Sequence, residues 1–506
     1  VSGRRAALGL LLIAAAAAPA IRPGTLQLRA HPLYLLADPA DLSAFALRGA
    51  NAAHRLPGRP DEPRAVRDPD RFAAGLDAGA VPADRFYLEY PPPALALFRL
   101  ETALAGVPDL PPAAADAEHT DVAAHTPRTP AETAAWARLS AAARLHVLLM
   151  GVALVGLLWA LRDAPGWWLV LLPGCVYFGL NRYDVLPALA VAVALRVVDR
   201  RPGGAGALLA FGAGLKLFPA LFLPVLVRLA GWRVAAGFLL AGAAIAAGCL
   251  LTVGVEGTLA PLRVQLGRPP ELGSWTLYGR LLPTALAYSP AARLVILFTV
   301  VAACAVRKPA DLSSAVRRCG LILLTFTQLA VFWSPQWLVW FVPLAAGLGT
   351  RTATAMAAVD VCGYLSFPVL FHLGWGELPA DWRQPTAEGL ILVRTAAWGW
   401  LGWRFLTGEP TRGGFDLAAV RRAARPPRGL NWVGIEPAGE PVIRPTRALV
   451  PVTVRFDPQP GGGLDDVPQA RDPRPAVAVF VPRAGRWVPT GKLVFNLPLD
   501  AIPEGS

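Results

Sequence analysis

From Leu139 to Leu406 the chain is almost continuously apolar, and that run leaves few folds open. It needs either a bilayer around it or an unusually large buried core. Composition decides between the two. Of the 506 residues, 54% are hydrophobic and only 16% charged, with a mean hydropathy of +0.44. Two soluble domains of this length would need far more charge on their surfaces. The expected class is an all-α polytopic membrane protein. The formal net charge of +13 does not point to nucleic acid, because most of the arginine sits in short clusters beside apolar runs, as positive-inside loops do.

The apolar runs mark about twelve membrane helices, near 6–21, 144–161, 165–180, 183–199, 204–215, 217–230, 232–253, 291–306, 318–334, 336–350, 354–373 and 389–405. The first follows Arg4-Arg5 and resembles a signal sequence ending at Ala18-Pro19-Ala20. Because many spans follow, it is read as an uncleaved span. Several runs fall short of the ~20 residues of an upright crossing. Short, broken helices are tolerated where they line a cavity or are buried in protein.

Basic clusters orient the chain: Arg4-Arg5, Arg196–Arg201, Arg228–Arg233, Arg307–Arg318, Arg351 and Arg421–Arg428 are expected on the cytoplasmic side. With Arg201 and Arg228 on one side, Gly203–Arg228 must enter and leave as a hairpin whose turn is Lys216-Leu217-Phe218-Pro219. A lysine at membrane depth costs roughly 2.5–3.5 kcal/mol, so it pairs with something or lines a wet cavity. The alternative is one tilted span whose lysine pairs with a neighbouring helix. In the hairpin reading the other polar interruptions gather on the outer face. These are the large first extracytoplasmic loop 22–143, Asn181–Asp184, the loop 254–290, Ser334–Trp337 and the loop 372–388. Within the first loop, Pro91–Val107 reads as an interfacial or re-entrant helix and 108–143 as an insertion. Residues 1–405 form the membrane domain, and 406–506 a Pro- and Arg-rich cytoplasmic tail. In the tail Ala448–Phe456, Ala476–Val481 and Lys492–Leu497 read as short strands, leaving a small β unit or a disordered segment as the two expectations.

Chemistry is sought among residues that a bilayer should exclude. Asp41 opens an amphipathic stretch about 20 residues past the first span, where a carboxylate at the interface can take a proton from a hydroxyl. Asp38 is close enough to serve instead. Lys216 and Arg268 are candidates for an anion, phosphate above all, since Lys supplies a point charge and Arg a fork of N–H donors. Arg182 and Arg280 are the alternatives. The five cysteines have no metal-ligand spacing and the six histidines are dispersed, so no metal or cofactor is expected.

The order of Asp41-Leu-x-x-Phe45, Tyr90-Pro-Pro, Gly179-Leu-Asn181, Ala205-Gly206 through Leu215-Lys216-x-x-Pro219, Arg268-Pro-Pro-Glu-Leu-Gly-Ser274 and Ser334-Pro-Gln336-x-x-x-Trp340 resembles glycosyltransferase family 87. That family belongs to the GT-C class of polytopic transferases. The resemblance covers about residues 1–405. It departs at Phe45, where the family has tyrosine, and in the turns around Asn181 and Glu271. It implies a GT-C-like bundle in the plasma membrane that transfers a sugar, mannose first, with inversion. The donor would be a polyprenyl phosphate and the acceptor a lipid or glycan on the outer face. By the same resemblance Asp41 is the general base, Lys216 and Arg268 hold the donor phosphate, and Tyr90, Asn181, Glu271, Ser274 and Gln336 contact substrate. A lipid-linked sugar transporter or flippase, and a non-catalytic scaffold acting through the tail, are the competing readings.

Overall fold

The computed structural model describes residues 9, 12–15, 90–106, 130–267, 289–330, 333–374, 379–407, 420–421, 424, 430–438, 442–444, 447–458, 473–483 and 486–495, and the structural statements below concern these. The chain separates into two compact units, Val1–Lys308 with Arg317–Thr407 and Pro309–Val316 with Gly408–Ser506.

The first unit is helical. Its elements are α1 (Pro92–Leu104), α2 (Pro130–Leu161), α3 (Pro173–Asn181), α4 (Val185–Val197), α5 (Pro202–Leu215), α6 (Leu223–Ala230), α7 (Trp232–Gly267) and α8 (Pro290–Val306). After α9 (Leu312–Gln328), which begins in the other unit, come α10 (Leu338–Ala346), α11 (Thr350–Tyr364) and α12 (Ala380–Thr407). Three stretches are long and apolar enough to cross a membrane: Ala141–Leu161, Trp232–Val255 and Thr350–Leu370. The pair α3 and α4, bent by 113°, makes a fourth if it counts as one span. The expectation of about twelve crossings is therefore met only in part. Proline explains much of the shortfall, since it removes a helical donor and clashes with the preceding turn. The run 165–180 is a 3-10 turn (Trp167–Leu171) followed by a fresh start at Pro173, and 336–350 opens as the 3-10 turn Pro335–Trp337 before the nine residues of α10.

Between α5 and α7 the chain folds back on itself. Cβ atoms added at Gly206 and Gly237 would overlap the carbonyls of Val234 and Gly203, and one at Gly214 would lie 3.2 Å from Ile245. From the crossing of Gly203–Gly206 with Val234–Gly237 to the Gly214–Ile245 contact both helices advance together, so α5 and α7 run parallel and α6 carries the chain back between them. Arg201 and Arg228 therefore stand at the same end, as the hairpin reading requires. α5 has 14 residues, about 20 Å at 1.5 Å each, which puts Lys216 well short of a ~30 Å apolar core. The turn itself follows from Pro219. Having no N–H, it cannot supply the helical donor to the Leu215 carbonyl. The Tyr183 hydroxyl donates there instead, at 3.5 Å.

The close approach of α5 and α7 depends on having no side chain at Gly206 and Gly237. Gly237→Val should destabilise the protein by about 1–3 kcal/mol or more through forced separation of the two helices. Gly242→Val, on the same helix with nothing within 4 Å of an added Cβ, should be neutral. Thermal denaturation of both variants in one detergent checks this, and equal melting would refute the backbone contact.

Two buried carboxylates tie the bundle together. Asp360 of α11 accepts from the backbone N–H groups of Gly174 (2.9 Å) and Cys175 (2.6 Å), satisfying donors left open where α3 starts inside the unit. Glu101 of α1 meets His146 Nδ1 of α2 at 3.1 Å from both oxygens, with the two side chains 3% and 1% exposed. This pair gives α1 a polar anchor on the bundle, alongside its buried Ala94, Leu95 and Phe98.

The second unit contains an antiparallel sheet, so the tail is a β unit over its described part. Strands β1 (Leu430–Pro437), β2 (Val442–Arg444), β3 (Arg447–Pro458), β4 (Arg474–Arg483) and β5 (Arg486–Phe495) are ordered β1-β3-β4-β5, with β2 paired to one end of β3. Alternation sets the core: Ala448, Val450, Val452, Val454 and Phe456 of β3 share a buried face with Ala476, Ala478 and Phe480 of β4. Two of the three expected strands lie within β3 and β4, and the third, Lys492–Leu497, overlaps β5 over Lys492–Phe495, its last two residues lying outside the described ones. β1 escaped the sequence reading because a register shift between Trp432 and Gly434 interrupts its alternation.

Candidate functional site

Lys216 is the extended residue between α5 and the 3-10 turn Phe218–Phe222 (φ −149°, ψ 133°). Its backbone N–H closes the last bond of α5 on Gly212, 2.8 Å away, so the helix stops and the side chain leaves sideways. The ammonium donates to both carboxylate oxygens of Asp184, at 2.8 and 3.1 Å. The Asp184 carboxylate is almost fully buried, and 15% of the Lys216 side chain is exposed.

Asp184 occupies the cap position of α4 but makes no side-chain bond to that helix. It also accepts from Trp340 Nε1 of α10 at 2.6 Å. One carboxylate thus joins the sharp α3–α4 bend, the α5–α6 fold-back and α10. Around the ammonium stand the rings of Tyr183 (4.9 Å to centroid), Trp340 (5.3 Å) and Tyr90 (6.0 Å). Aromatic faces attract a cation by up to about 2 kcal/mol when water is excluded. The cage is itself packed. Tyr90 meets Tyr183 and Phe98 edge-on at 5.5 and 5.9 Å, and Phe218 stacks on Trp340 at 4.5 Å.

Of the expected site residues, Lys216 and Tyr90 come together here. Asn181 is buried two residues before Tyr183, its amide donating to the Tyr177 carbonyl at 2.8 Å. Gln336 is 7% exposed, in the turn that leads to Trp337, whose ring lies 5.6 Å from that of Trp340. Asp41, its alternative Asp38, Arg268, Glu271 and Ser274 lie outside the described residues. Among the described residues no three His, Cys, Asp or Glu side chains gather as metal ligands do.

Asp184 is the central residue that sequence reasoning passed over. In the sequence it belongs to the polar turn Asn181–Asp184, and the signal that singles it out is that a lone lysine in an apolar run calls for an acid in another run. Arg394 is a second omission: a charge in the middle of the apolar run 389–405, it is 2% exposed and lies over the Trp333 ring at 3.8 Å.

The chain matches none of the known protein-family models, curated proteins or solved structures with which it was compared. The resemblance to glycosyltransferase family 87 rests on the motifs quoted above.

The arrangement restricts what Lys216 can do. With Asp184 beside it the pair carries no net charge, so a phosphate would meet one exposed edge of an ammonium already shared with a carboxylate. Binding an anion there means exchanging part of that pairing for the new one, or adding a second cation from elsewhere.

Proposed function

We propose that this protein transfers a sugar from a polyprenyl-phosphate donor to a lipid or glycan acceptor on the outer face of the membrane, inverting the anomeric carbon. One observation carries the reading. Tyr90 and Trp340, from two separate motifs of the resemblance, and Tyr183–Asp184, just past Asn181 of a third, pack around the Lys216 ammonium of a fourth. That convergence is what a polar site inside an apolar bundle requires, because each such residue is costly unless partnered.

In this scheme the acceptor hydroxyl loses its proton to Asp41 as its oxygen attacks the sugar, and the lipid phosphate departs with the bonding electrons. Lys216 and Arg268 neutralise the charge that develops on the phosphate. Asp184 is a positioning residue: it fixes the direction of the Lys216 ammonium and keeps it from snorkelling toward the interface. Mannose is the first sugar to test. No step calls for a cofactor.

The test supplies labelled polyprenyl-phosphate mannose to membranes containing the protein. The expected result is label in a new, larger glycoconjugate, absent from membranes lacking the chain. Label crossing the bilayer with its phosphate linkage intact would instead support the transporter reading.

A further inference from the structure

The end of α2 carries a charged aromatic cluster that sugar transfer does not use. Trp159, in the last turn of the span Ala141–Leu161, is exposed. The guanidinium of Arg162 lies 4.3 Å from the centre of its ring, and that of Arg196, from α4, lies 5.5 Å away. Arg196 reaches across to α2, donating to the Ala160 carbonyl at 2.9 Å and to Asp163 Oδ2 at 2.8 Å. The same Asp163 oxygen stands 3.8 Å from Arg162 Nε, and Arg162 also donates to the Trp159 carbonyl at 3.0 Å. Two guanidiniums thus share one carboxylate at the surface, so the cluster keeps a net positive charge. Each guanidinium has five N–H donors, and these three hydrogen bonds leave most of them open to a further acceptor.

What lies beside the cluster selects the ligand. Leu148, Val152 and Trp159 are exposed and stand at i, i+4 and i+11, one stripe along α2. From Leu148 to Trp159 the stripe runs about 16 Å at 1.5 Å per residue, half of a ~30 Å apolar core and hence the depth of one leaflet. Arg200 and Arg201 follow Arg196 just past α4, at the end where the positive-inside rule puts the cytoplasm and its anionic lipids. The Lys216 cage is at the other end of α4, about 18 Å away, since Asp184 precedes that helix and Arg196 stands in its last turn. A free phosphate would use the guanidiniums but not the stripe. A phosphatidylcholine would bring another cation to a cluster already positive. We infer that Trp159, Arg162 and Arg196 bind the phosphodiester of an anionic phospholipid, whose acyl chain lies along Val152 and Leu148. The inference does not depend on the sugar-transfer reading.

The test is native mass spectrometry of the purified full-length chain, with equal amounts of dioleoyl phosphatidylglycerol and dioleoyl phosphatidylcholine added in detergent. The anionic lipid should be preferred about 25-fold, fivefold for each of two arginines worth ~1 kcal/mol at a membrane surface. Arg162→Gln should cut that preference about fivefold, and Arg162→Gln with Arg196→Gln should remove it. Arg233→Gln, at an exposed arginine of the same basic end outside the cluster, should leave it unchanged. Dihexanoyl phosphatidylglycerol, the same headgroup on chains too short to reach Leu148, should be retained far less. Equal retention of the two dioleoyl lipids would overturn the proposal. So would a loss in Arg233→Gln as large as in Arg162→Gln, which would mean a diffuse basic surface with no site. Displacement of the dioleoyl lipid by millimolar glycerol 3-phosphate would overturn the lipid assignment in favour of a free phosphate. Melting curves screen each variant for folding. Should the double variant fail to fold, Arg162→Gln decides the matter, because the contacts it removes lie within Trp159–Asp163 and hold no second helix.

Discussion

Lys216→Met should produce a protein that is badly destabilised, and adding Asp184→Asn should recover most of the loss. The single change leaves the Asp184 carboxylate, about 1% exposed, with Trp340 Nε1 as its one remaining donor in the cage. Removing one partner of a buried pair typically costs about 3–5 kcal/mol, because the other charge stays buried. The double variant removes both charges while the Asn amide oxygen still accepts from Trp340. Replacing a buried ion pair with neutral groups is often close to neutral. Asp184→Leu should lie between the two: the ammonium it strands is partly exposed, but the Trp340 N–H loses its acceptor, worth about 1–3 kcal/mol. Monodispersity and melting temperature in detergent measure all three. Equal damage in Lys216→Met and the double variant would mean that the pairing contributes nothing and Lys216 packs through its methylenes alone. The folded double variant is also the cleanest test of Lys216 in catalysis, since it separates loss of charge from loss of fold.

How far the sequence reached is clearest at this same residue. A single lysine before Pro219, between two basic ends, indicated both the fold-back and the need for a partner as alternatives; the structure contains the two together. The partner itself was not legible, because Asp184 lies 32 residues earlier in a stretch that reads as a solvated turn. Glu101 was hidden for a similar reason: in Pro92–Leu104 it looks like the polar face of an interfacial helix, and only His146 of α2 explains its burial. The β tail was legible where alternation is regular, from Ala448 to Phe456, and lost where a bulge shifts the register. Crossing number was the weakest expectation. Mean apolarity marks the runs but not their breaks, and α3, α4 and α10 are pieces whose lengths are set by local turns and by partners such as Asp360.

Asp41→Asn should abolish sugar transfer, lowering it by about 10²–10⁴-fold, the usual contribution of a positioned general base. Protein level and melting temperature should stay native, because the substitution keeps the size and polarity of the side chain. The effect belongs in kcat, since the base acts on the acceptor hydroxyl in the transition state, whereas loss of the Lys216 charge should also raise the KM for the donor. Asp38→Asn should be far milder. If Asp38→Asn instead carries the full loss and Asp41→Asn is active, the base moves three residues and the rest of the scheme stands. If neither matters while the native chain transfers label, the proton is taken elsewhere, and buried Glu101 with His146 becomes the next pair to substitute. A cellular phenotype that is lost on deleting 406–506 but unchanged by either aspartate substitution, with no transfer by the native chain, would favour the scaffold. The readings ask different things of one carboxylate: the transferase needs its basicity and a scaffold needs neither basicity nor charge, while a carrier, which could need the charge that Asp→Asn also removes, is told apart by the absence of a new glycosidic product.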